Sequence, residues 1–194
     1  MTSYNLAYGL KVIEPTVFTD GRGYFFETFS KEKYSTLGVD INYEFVQDNE
    51  SCSAKNVMRG LHYQVPPHAQ GKLVRVVKGS VIDFVLDIRE GSKTFGQMFF
   101  VYLTGENKRQ FWIAPGFAHG FISLEDGTIF SYKCTDVYSK EDERGISMLD
   151  EKLDVFGKLK GFAEENEIKL ELNNLILSEK DKRHPNFADV NSLM

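Results

Sequence analysis

Cysteine is scarce in this chain, which has only Cys52 and Cys134 among its 194 residues. Two cysteines so far apart give neither a disulfide framework nor the paired ligand spacing of a zinc site. Because cytosolic proteins keep their thiols reduced, we expect two free cysteines in a cytoplasmic protein.

Long apolar runs and clusters of one charge are missing too. No apolar stretch approaches the length of a membrane-spanning helix, and the N-terminus lacks the basic and then apolar pattern of a signal peptide. The formal net charge is −5, and no run of lysine or arginine stands out. The sequence therefore argues against nucleic acid and against a membrane as partners.

What the chain does have is an ordinary globular composition with many aromatic rings. It is 42% hydrophobic and 26% charged, and it holds 16 Phe and 9 Tyr beside a single Trp. No repeat, low-complexity tract or linker divides it. We expect one domain over 1–194, with a barrel core at about 10–148 and a variable tail at 149–194.

Glycines and short polar clusters divide the first three quarters of the chain at close intervals. The segments between them are rich in Val, Ile, Phe and Tyr: "KLVRVVKG", "SVIDFVLDIR", "GQMFFVYLTG", "RQFWIAPG", "HGFISLEDG" and "TIFSYKCTDVY". Such spacing predicts an all-β fold, an antiparallel sandwich or barrel. The last quarter is charged and has apolar residues at mixed spacings, which predicts one or two short helices and an extended piece.

Alternation along two of these segments separates their faces. In "TIFSYKCTDVY", Phe130, Tyr132 and Tyr138 share a face if the strand stays regular, and we expect that face to point into the barrel. In "SVIDFVLDIR", Asp83 and Asp87 share one face with valines, opposite an apolar face. A carboxylate between valines indicates either a solvated edge or a polar interior, and both stay open.

His62, in "RGLHYQ", has three interpretations: a structural histidine, a metal ligand or a proton-transfer group. Gln64 stands where a second histidine would be expected on the same strand face. His68 lies beyond two prolines, and His119 and His184 are isolated. No carboxylate is placed to complete a compact ligand set, so we expect no metal.

Without a metal, a histidine in a cavity is suited to moving a proton. Lys72 begins the next strand, and Arg59 precedes His62 by three residues. Cations beside a histidine suggest a site that receives an anion. Strict alternation puts Arg59 and His62 on opposite faces, so their cooperation needs a bulge or a strand that starts after Arg59.

Three further segments carry polar groups at the starts of strands or in loops. "APGFAHGF" delivers His119, "DGRGYFFETF" carries Arg22 and Glu27, and "FVQDNESCS" offers Gln47 and Asn49. Amide, guanidinium and aromatic groups of this kind can together hold a planar base and phosphates.

Eight blocks in this order resemble the dTDP-4-dehydrorhamnose 3,5-epimerase family. They are "DGRGYFFETF", "FVQDNESCS", "NVMRGLHYQ", "QGKLVRVVKG", "TFGQ", "ENKRQFWIAPGFAHGF", "YKCTDVY" and "LSEKD". The match covers 10–148 and resumes near 177–185. The resemblance implies a cupin-type jelly-roll barrel, no cofactor, and a homodimer in which an N-terminal segment helps to complete the neighbour's site.

The resemblance also implies a mechanism. The substrate would be a nucleotide-linked 4-keto-6-deoxyhexose, whose C4 carbonyl acidifies the hydrogens on C3 and C5. His62 would remove these protons, and Asp181 in "SEKD" would orient its imidazole. Tyr132 would return a proton on the opposite face of the sugar, and Lys72 would stabilise the enolate oxygen.

Other matching positions are implied to bind the substrate. Arg59 and His119 match contacts to the diphosphate and the sugar, and Tyr138 matches a ring that stacks on thymine. The positions on the nucleotide side are Arg22, Glu27, Gln47, Asp48 and Asn49, and the blocks with Glu143 and Lys180 match as well.

The tail departs from the family pattern. Where the family usually has "W-x-D" this chain reads "MLD" at 148–150, no "WP" follows, and the stretch before "LSEKD" is longer. These differences leave open how the tail packs Asp181 and Lys180 against the site, and which sugar is accepted.

Three alternatives stay open beside the 3,5-epimerase. The first is an epimerase that acts at C3 or C5 only, in another deoxysugar pathway. The second is a non-catalytic cupin that only binds a nucleotide sugar. The third is a metal-dependent cupin oxygenase, against which Gln64 argues.

Overall fold

The computed structural model describes residues 1–39 and 43–190. The strands in these residues are β1 (Thr2–Ala7), β2 (Leu10–Glu14), β3 (Phe18–Asp20), β4 (Gly23–Phe25), β5 (Gln47–Ser53), β6 (Met58–Gln64), β7 (Lys72–Lys78), β8 (Ser80–Asp87), β9 (Met98–Thr104), β10 (Gln110–Ile113), β11 (Phe117–Ser123), β12 (Thr128–Cys134) and β13 (Glu143–Gly145). The helices are α1 (Lys31–Thr36) and α2 (Val155–Glu165), with short 3₁₀ helices at Asp181–Arg183 and Phe187–Asp189. None of the described helices is long and apolar enough to cross a bilayer.

Two antiparallel sheets face each other. The six-stranded sheet has the order β1-β2-β10-β7-β12-β5, and the five-stranded sheet has the order β13-β6-β11-β8-β9. The predicted all-β fold is confirmed, and the six valine- and aromatic-rich segments all form strands. The sheet begins earlier than position 10, because β1 pairs with β2 from Thr2. The sequence did not predict β1, because β1 is an edge strand with no buried residue and with several polar side chains.

Apolar residues fill three layers. Residues of both sheets, among them Val74, Val85 and Phe111, form the core between the sheets. A second cluster lies on the outer face of the five-stranded sheet, where Leu159 of α2 covers it. A third cluster, around Trp112, lies under α1 on the outer face of the other sheet. β8 is therefore buried on both faces along its whole length.

The tail folds back along β6 and so brings residues 178–184 to the cavity. Backbone bonds join Ile176 to Asn56 and Met58, each at 2.9 to 3.0 Å. The N–H of Ser147 donates to the carbonyl of Pro185, and a buried carboxylate, Asp150, accepts from the N–H of Phe187 at 2.8 Å. The prediction of short helices plus an extended piece is confirmed, and these bonds hold the tail against the barrel.

Candidate active site

A β-bulge between β6 and β11 brings Arg59 and His62 to one cavity. His119 pairs with His62 and Phe121 pairs with Arg59, so two steps along β11 match three steps along β6. Gly60 occupies the bulge with φ of 123°. A Cβ there would lie 2.6 Å from the Cα of Gly120, so the two backbones approach too closely for any side chain. Of the two alternatives that alternation left open, a bulge or a strand that starts after Arg59, the structure shows the bulge, since β6 starts at Met58.

The cavity lies between the two sheets and has two lobes of about 470 and 370 Å³. Both lobes are lined by His62, Lys72 and Tyr132, which therefore stand at their junction. The larger lobe adds Arg59, His119, Lys180 and Asp181, and the smaller lobe adds Gln47, Asn49, Tyr138 and Glu143. β6 supplies His62 from one sheet, whereas β7 and β12 supply Lys72 and Tyr132 from the other.

His62 and Asp181 form a dyad in the cavity wall. Nε2 of His62 and Oδ1 of Asp181 are 2.6 Å apart, and the Asp181 side chain is 4% exposed. Burial acts to raise the pKa of Asp181, but the hydrogen bonds from His62 and Ser178 outweigh it and hold that pKa below its ordinary value. An ionised Asp181 accepts a hydrogen bond from a protonated Nε2 of His62. In the neutral ring, Nδ1 is then the basic nitrogen.

Lys72 and Tyr132 carry polar groups that no described residue satisfies: neither the ammonium nor the phenol has a hydrogen-bond partner there. Burial lowers the pKa of Lys72, and burial raises the pKa of Tyr132. The phenol therefore keeps its proton at neutral pH. An ammonium that burial destabilises gains most when a negative charge develops beside it.

His119 is supported from behind by Asp83. Nε2 of His119 is 2.8 Å from Oδ2 of Asp83, and both residues are buried. Burial raises the pKa of Asp83, opposed by the charges of His119 and Lys72. Asp83 thus lies in the polar interior rather than at a solvated edge. Sequence reasoning did not include it in the site, although a carboxylate between buried valines was the available signal.

The mouth of the smaller lobe is held by amide side chains. Oε1 of Gln47 accepts from the N–H of Tyr138 at 2.9 Å, and Oε1 of Gln64 accepts from the N–H of Ser139 at 2.9 Å. The hydroxyl of Tyr138 donates to Glu143 at 2.8 Å. The expectation that Tyr138 shares a strand face with Tyr132 is wrong, because β12 ends at Cys134. Gln47 positions Tyr138 instead.

Lys180 of the tail forms an ion pair with Glu143 of β13. Burial acts to raise the pKa of Glu143, but hydrogen bonds from Lys180 and Tyr138 lower it overall. This pair ties the segment that carries Asp181 to the barrel at the cavity mouth.

The family model for dTDP-4-dehydrorhamnose 3,5-epimerase matches residues 6–189. The chain belongs to the dTDP-4-dehydrorhamnose 3,5-epimerase family.

Individual relatives agree with this assignment and confirm the predicted family. A dTDP-4-dehydrorhamnose 3,5-epimerase from Shigella flexneri is 46% identical over 178 residues, which cover 92% of this chain and 91% of that protein. The crystal structure of dTDP-6-deoxy-D-glucose-3,5-epimerase from Legionella pneumophila, in complex with dTDP-4-keto-L-rhamnose, superposes with a TM-score of 0.85 at 44% identity. The superposition covers 98% of this chain and 94% of the Legionella chain.

A more distant similarity is to a monoepimerase, which is the first of the alternatives to a 3,5-epimerase. The 3'-monoepimerase from Streptomyces bikiniensis, in complex with dTDP-quinovose, superposes with a TM-score of 0.79 at 28% identity and covers 97% of this chain and 88% of its own. The predicted cupin-type jelly roll is confirmed by these similarities together with the two-sheet architecture.

Three residues that match epimerase positions lie away from the cavity of this chain. Arg22 pairs with Asp20 on the exposed β3–β4 hairpin, and Glu27 pairs with Lys33. Asp48 points to the outer face of the six-stranded sheet and bonds Lys133 at 2.9 Å. Alternation along β5 explains this placement, since Gln47 and Asn49 take the cavity face. The expectation that Asp48 faces the nucleotide beside them is corrected accordingly.

His184 does lie at the epimerase site, although the sequence suggested an isolated residue. Its Nε2 is 3.4 Å from Oδ1 of Asp181, and its ring centroid is 5.5 Å from that of His62. One potential ligand atom from each of these three residues lies within 4.8 Å of the other two. The expectation that no carboxylate completes such a set is wrong. Motifs in the sequence do not show that the tail places Asp181 beside the two histidines. The absence of a metal cofactor stays a prediction.

His68 lies outside both lobes, 3.4 Å from Asp136.

Proposed function

We propose that the protein catalyses the 3,5-epimerisation of a dTDP-4-keto-6-deoxyhexose, converting dTDP-4-dehydro-6-deoxyglucose to dTDP-4-dehydrorhamnose without a cofactor. One observation carries the proposal: a base dyad and a protonated phenol approach one cavity from opposite sheets. His62 and Asp181 lie on one wall, and Tyr132 lies on the other with Lys72. A sugar between the sheets presents one face to each. Epimerases of this name are relatives over most of the chain.

The chemistry uses one ketone for two inversions. Nδ1 of His62 takes the proton from C3, the electron pair of the C–H bond moves into the enolate, and the charge develops on the C4 oxygen beside Lys72. Tyr132 then gives its proton to C3 from the opposite face, and the C4 carbonyl re-forms. Proton exchange with water restores the neutral imidazole and the phenol, and the same steps follow at C5.

The nucleotide side of the cavity is assigned by chemistry and by family position. Arg59 is the cation of the larger lobe nearest the bulge, and we assign it with His119 to the diphosphate and the sugar. The ring of Tyr138 is 55% exposed at the mouth, where a thymine can stack on it. Gln47, Asn49, Glu143 and Lys180 complete this side of the site.

The exposed β3–β4 hairpin supports a homodimer. Phe18, Tyr24 and Phe25 are 58 to 67% exposed there, beside Arg22. Apolar rings on a projecting hairpin favour contact with another subunit. In the dimer, Arg22 and Glu27 would reach the neighbour's nucleotide and not their own. We further propose that 1–194 forms a single domain, since the tail packs on the barrel, and that the enzyme acts in the cytoplasm.

The test is incubation of the enzyme with dTDP-4-keto-6-deoxyglucose in deuterium oxide, followed by mass spectrometry and NMR of the product. Two deuterons per sugar, at C3 and C5, are expected. A single deuteron would instead identify an epimerase of one position, as in the Streptomyces relative. No exchange at all would leave only nucleotide-sugar binding.

Two variants test the assigned roles. His62→Ala should lose both deuterium exchange and inversion, and Tyr132→Phe should lose inversion, while both variants stay folded, since general acid–base groups contribute about 10²- to 10⁴-fold in rate. In Tyr132→Phe, His62 can still exchange a proton on the starting face of the sugar, so NMR of the sugar product measures inversion separately. Matched controls are His68→Ala and Tyr4→Phe, outside the cavity, which should exchange normally. Unimpaired exchange in His62→Ala would refute the role of His62, and unimpaired inversion in Tyr132→Phe would refute the role of Tyr132.

A further inference from the structure

His184 is a buried imidazole with an unsatisfied nitrogen. Its side chain is 10% exposed, and its Nε2 atom has no hydrogen-bond partner among the residues that the structure describes. The ring packs on the backbone of Gly145, where a Cβ would lie 2.3 to 2.4 Å from three ring atoms. β13 thus needs a glycine here to make room for an imidazole that the proposed epimerisation does not use.

The unsatisfied nitrogen faces the dyad. Nε2 of His184 is 3.4 Å from Oδ1 of Asp181, and the same oxygen is 2.6 Å from Nε2 of His62. Zinc binds imidazole nitrogen and carboxylate oxygen at about 2.0 to 2.2 Å, so ligand atoms around a tetrahedral ion stand roughly 3.3 Å apart. The pair at 3.4 Å already has this separation. The pair at 2.6 Å would have to open by less than about 1 Å.

We infer that His62, Asp181 and His184 form a binding site for a transition-metal ion such as Zn²⁺, and that the bound ion switches epimerisation off. Two imidazoles and one carboxylate favour Zn²⁺ and Co²⁺ over Mg²⁺ or Ca²⁺. The ion would enter from the cavity, which His62 and Asp181 line, and water would fill its remaining position.

Inhibition follows from the proton count of one imidazole. The metal takes the lone pair of Nε2 of His62, so the single proton of the neutral ring moves to Nδ1. Nδ1 can then no longer accept the proton from C3 or C5. This half of the inference rests on the proposed function, whereas the binding of the ion does not.

Binding is tested by titrating ZnCl₂ into chelator-treated full-length protein in a calorimeter. One ion per chain is expected. His184→Phe, which keeps a ring but has no ligand atom, should weaken binding by about 100-fold or more, since loss of an outer-shell partner alone costs about 10- to 100-fold. His184→Asn is the second variant in case the first does not fold. His68→Phe is the matched control and should bind like the wild type.

Co²⁺ provides an independent readout, because a tetrahedral site with nitrogen ligands gives visible absorption bands that should disappear in His184→Phe. Deuterium exchange with and without Zn²⁺ is then compared within each protein, so that a changed basal rate does not matter. The wild type should lose exchange with zinc and regain it with chelator, and His184→Phe should resist zinc.

Equal zinc binding by the wild type and His184→Phe, or no binding by the wild type, would overturn the site. Bound zinc that leaves wild-type exchange intact would overturn the switch. If the wild type shows no exchange in any condition, the proposed function fails, and the calorimetric result still decides the metal site.

Discussion

His62 and Asp181 are separated by 119 positions in the chain, yet Nε2 of the histidine and Oδ1 of the aspartate are 2.6 Å apart. The histidine belongs to the barrel, whereas the aspartate arrives on the tail. The N–H of Asp181 donates to Oγ of Ser178 at 3.1 Å, and the ion pair of Lys180 with Glu143 holds the same segment. The anchoring of the tail therefore sets the geometry of the base.

Asp181→Asn should lower kcat by about 10²- to 10⁴-fold with little change in KM, because the imidazolium formed on His62 loses its carboxylate partner. The substituted side chain keeps its size, so the tail stays in place. Steady-state kinetics and deuterium exchange measure the effect.

Asp136→Asn is the matched control for that substitution. Asp136 is the carboxylate of a second histidine pair, 3.4 Å from His68 and outside the cavity. Its substitution should leave kcat unchanged. Equal kcat values for Asp181→Asn and wild type would show that the dyad does not assist the base.

Gly60→Ala should destabilise the barrel by at least about 3 kcal/mol, because left-handed strain adds to the clash of the new Cβ with the backbone at Gly120. β6 would shift and carry Arg59 and His62 out of register, so exchange should be lost too. Urea unfolding and deuterium exchange measure both effects.

Gly127→Ala separates strain from the clash. Gly127 has φ of 68°, and a Cβ there would meet no atom of the described residues within 4 Å. Its substitution should cost only about 1–2 kcal/mol and leave exchange intact. Equal losses of stability in the two variants would contradict the argument that the close β6–β11 approach demands Gly60.

Asp87 should make stability depend on acid pH. Its buried carboxylate accepts from Arg89, Ser92 and Thr94. Burial acts to raise its pKa, but these hydrogen bonds lower it to about 2 from an ordinary value of 3.8. Because the folded-state pKa is depressed, its stabilisation is complete above about 3.8 and is lost as pH falls towards about 2.

The comparison of wild type with Asp87→Asn isolates this effect. The difference in the free energy of unfolding should be constant near neutral pH and shrink by about 2 kcal/mol between pH 4 and 2. Urea titrations at a series of pH values provide the measurement. Asp20→Asn, at an exposed carboxylate, should show a much smaller trend. A difference that stays constant down to pH 2 would contradict the prediction.

Mixing two inactive variants should restore activity if the hairpin serves the neighbouring subunit. In a random mixture of Arg22→Ala and His62→Ala dimers, about a quarter of the sites combine an intact hairpin with an intact base. After the subunits re-equilibrate, the rate of deuterium exchange should return to about a quarter of the wild-type rate. Each variant alone is the control, and a mixture no more active than its components would contradict exchange of the hairpin between subunits.

Much of the barrel could be read from the sequence because strand signals are local. Glycine-punctuated segments with period-two alternation predict β7 to β12. The parity conflict between Arg59 and His62 predicts either a bulge or a strand that starts after Arg59. Alternation assigned Tyr138 to the wrong face, because nothing within "TIFSYKCTDVY" marks the end of β12 at Cys134. The family resemblance groups Asp48 with Gln47 and Asn49, although alternation along β5 puts it on the opposite face.

The sequence by itself determined the strands, the polar residues they carry and, through the ordered motifs, the family. Only the tertiary structure decided which of these residues meet. Asp83 and Asp181 reach their histidines from 36 and 119 positions away, and the tail returns along β6 through backbone bonds that leave no local pattern in the sequence. A motif reports composition at one place in the chain, whereas a dyad depends on how two distant segments pack.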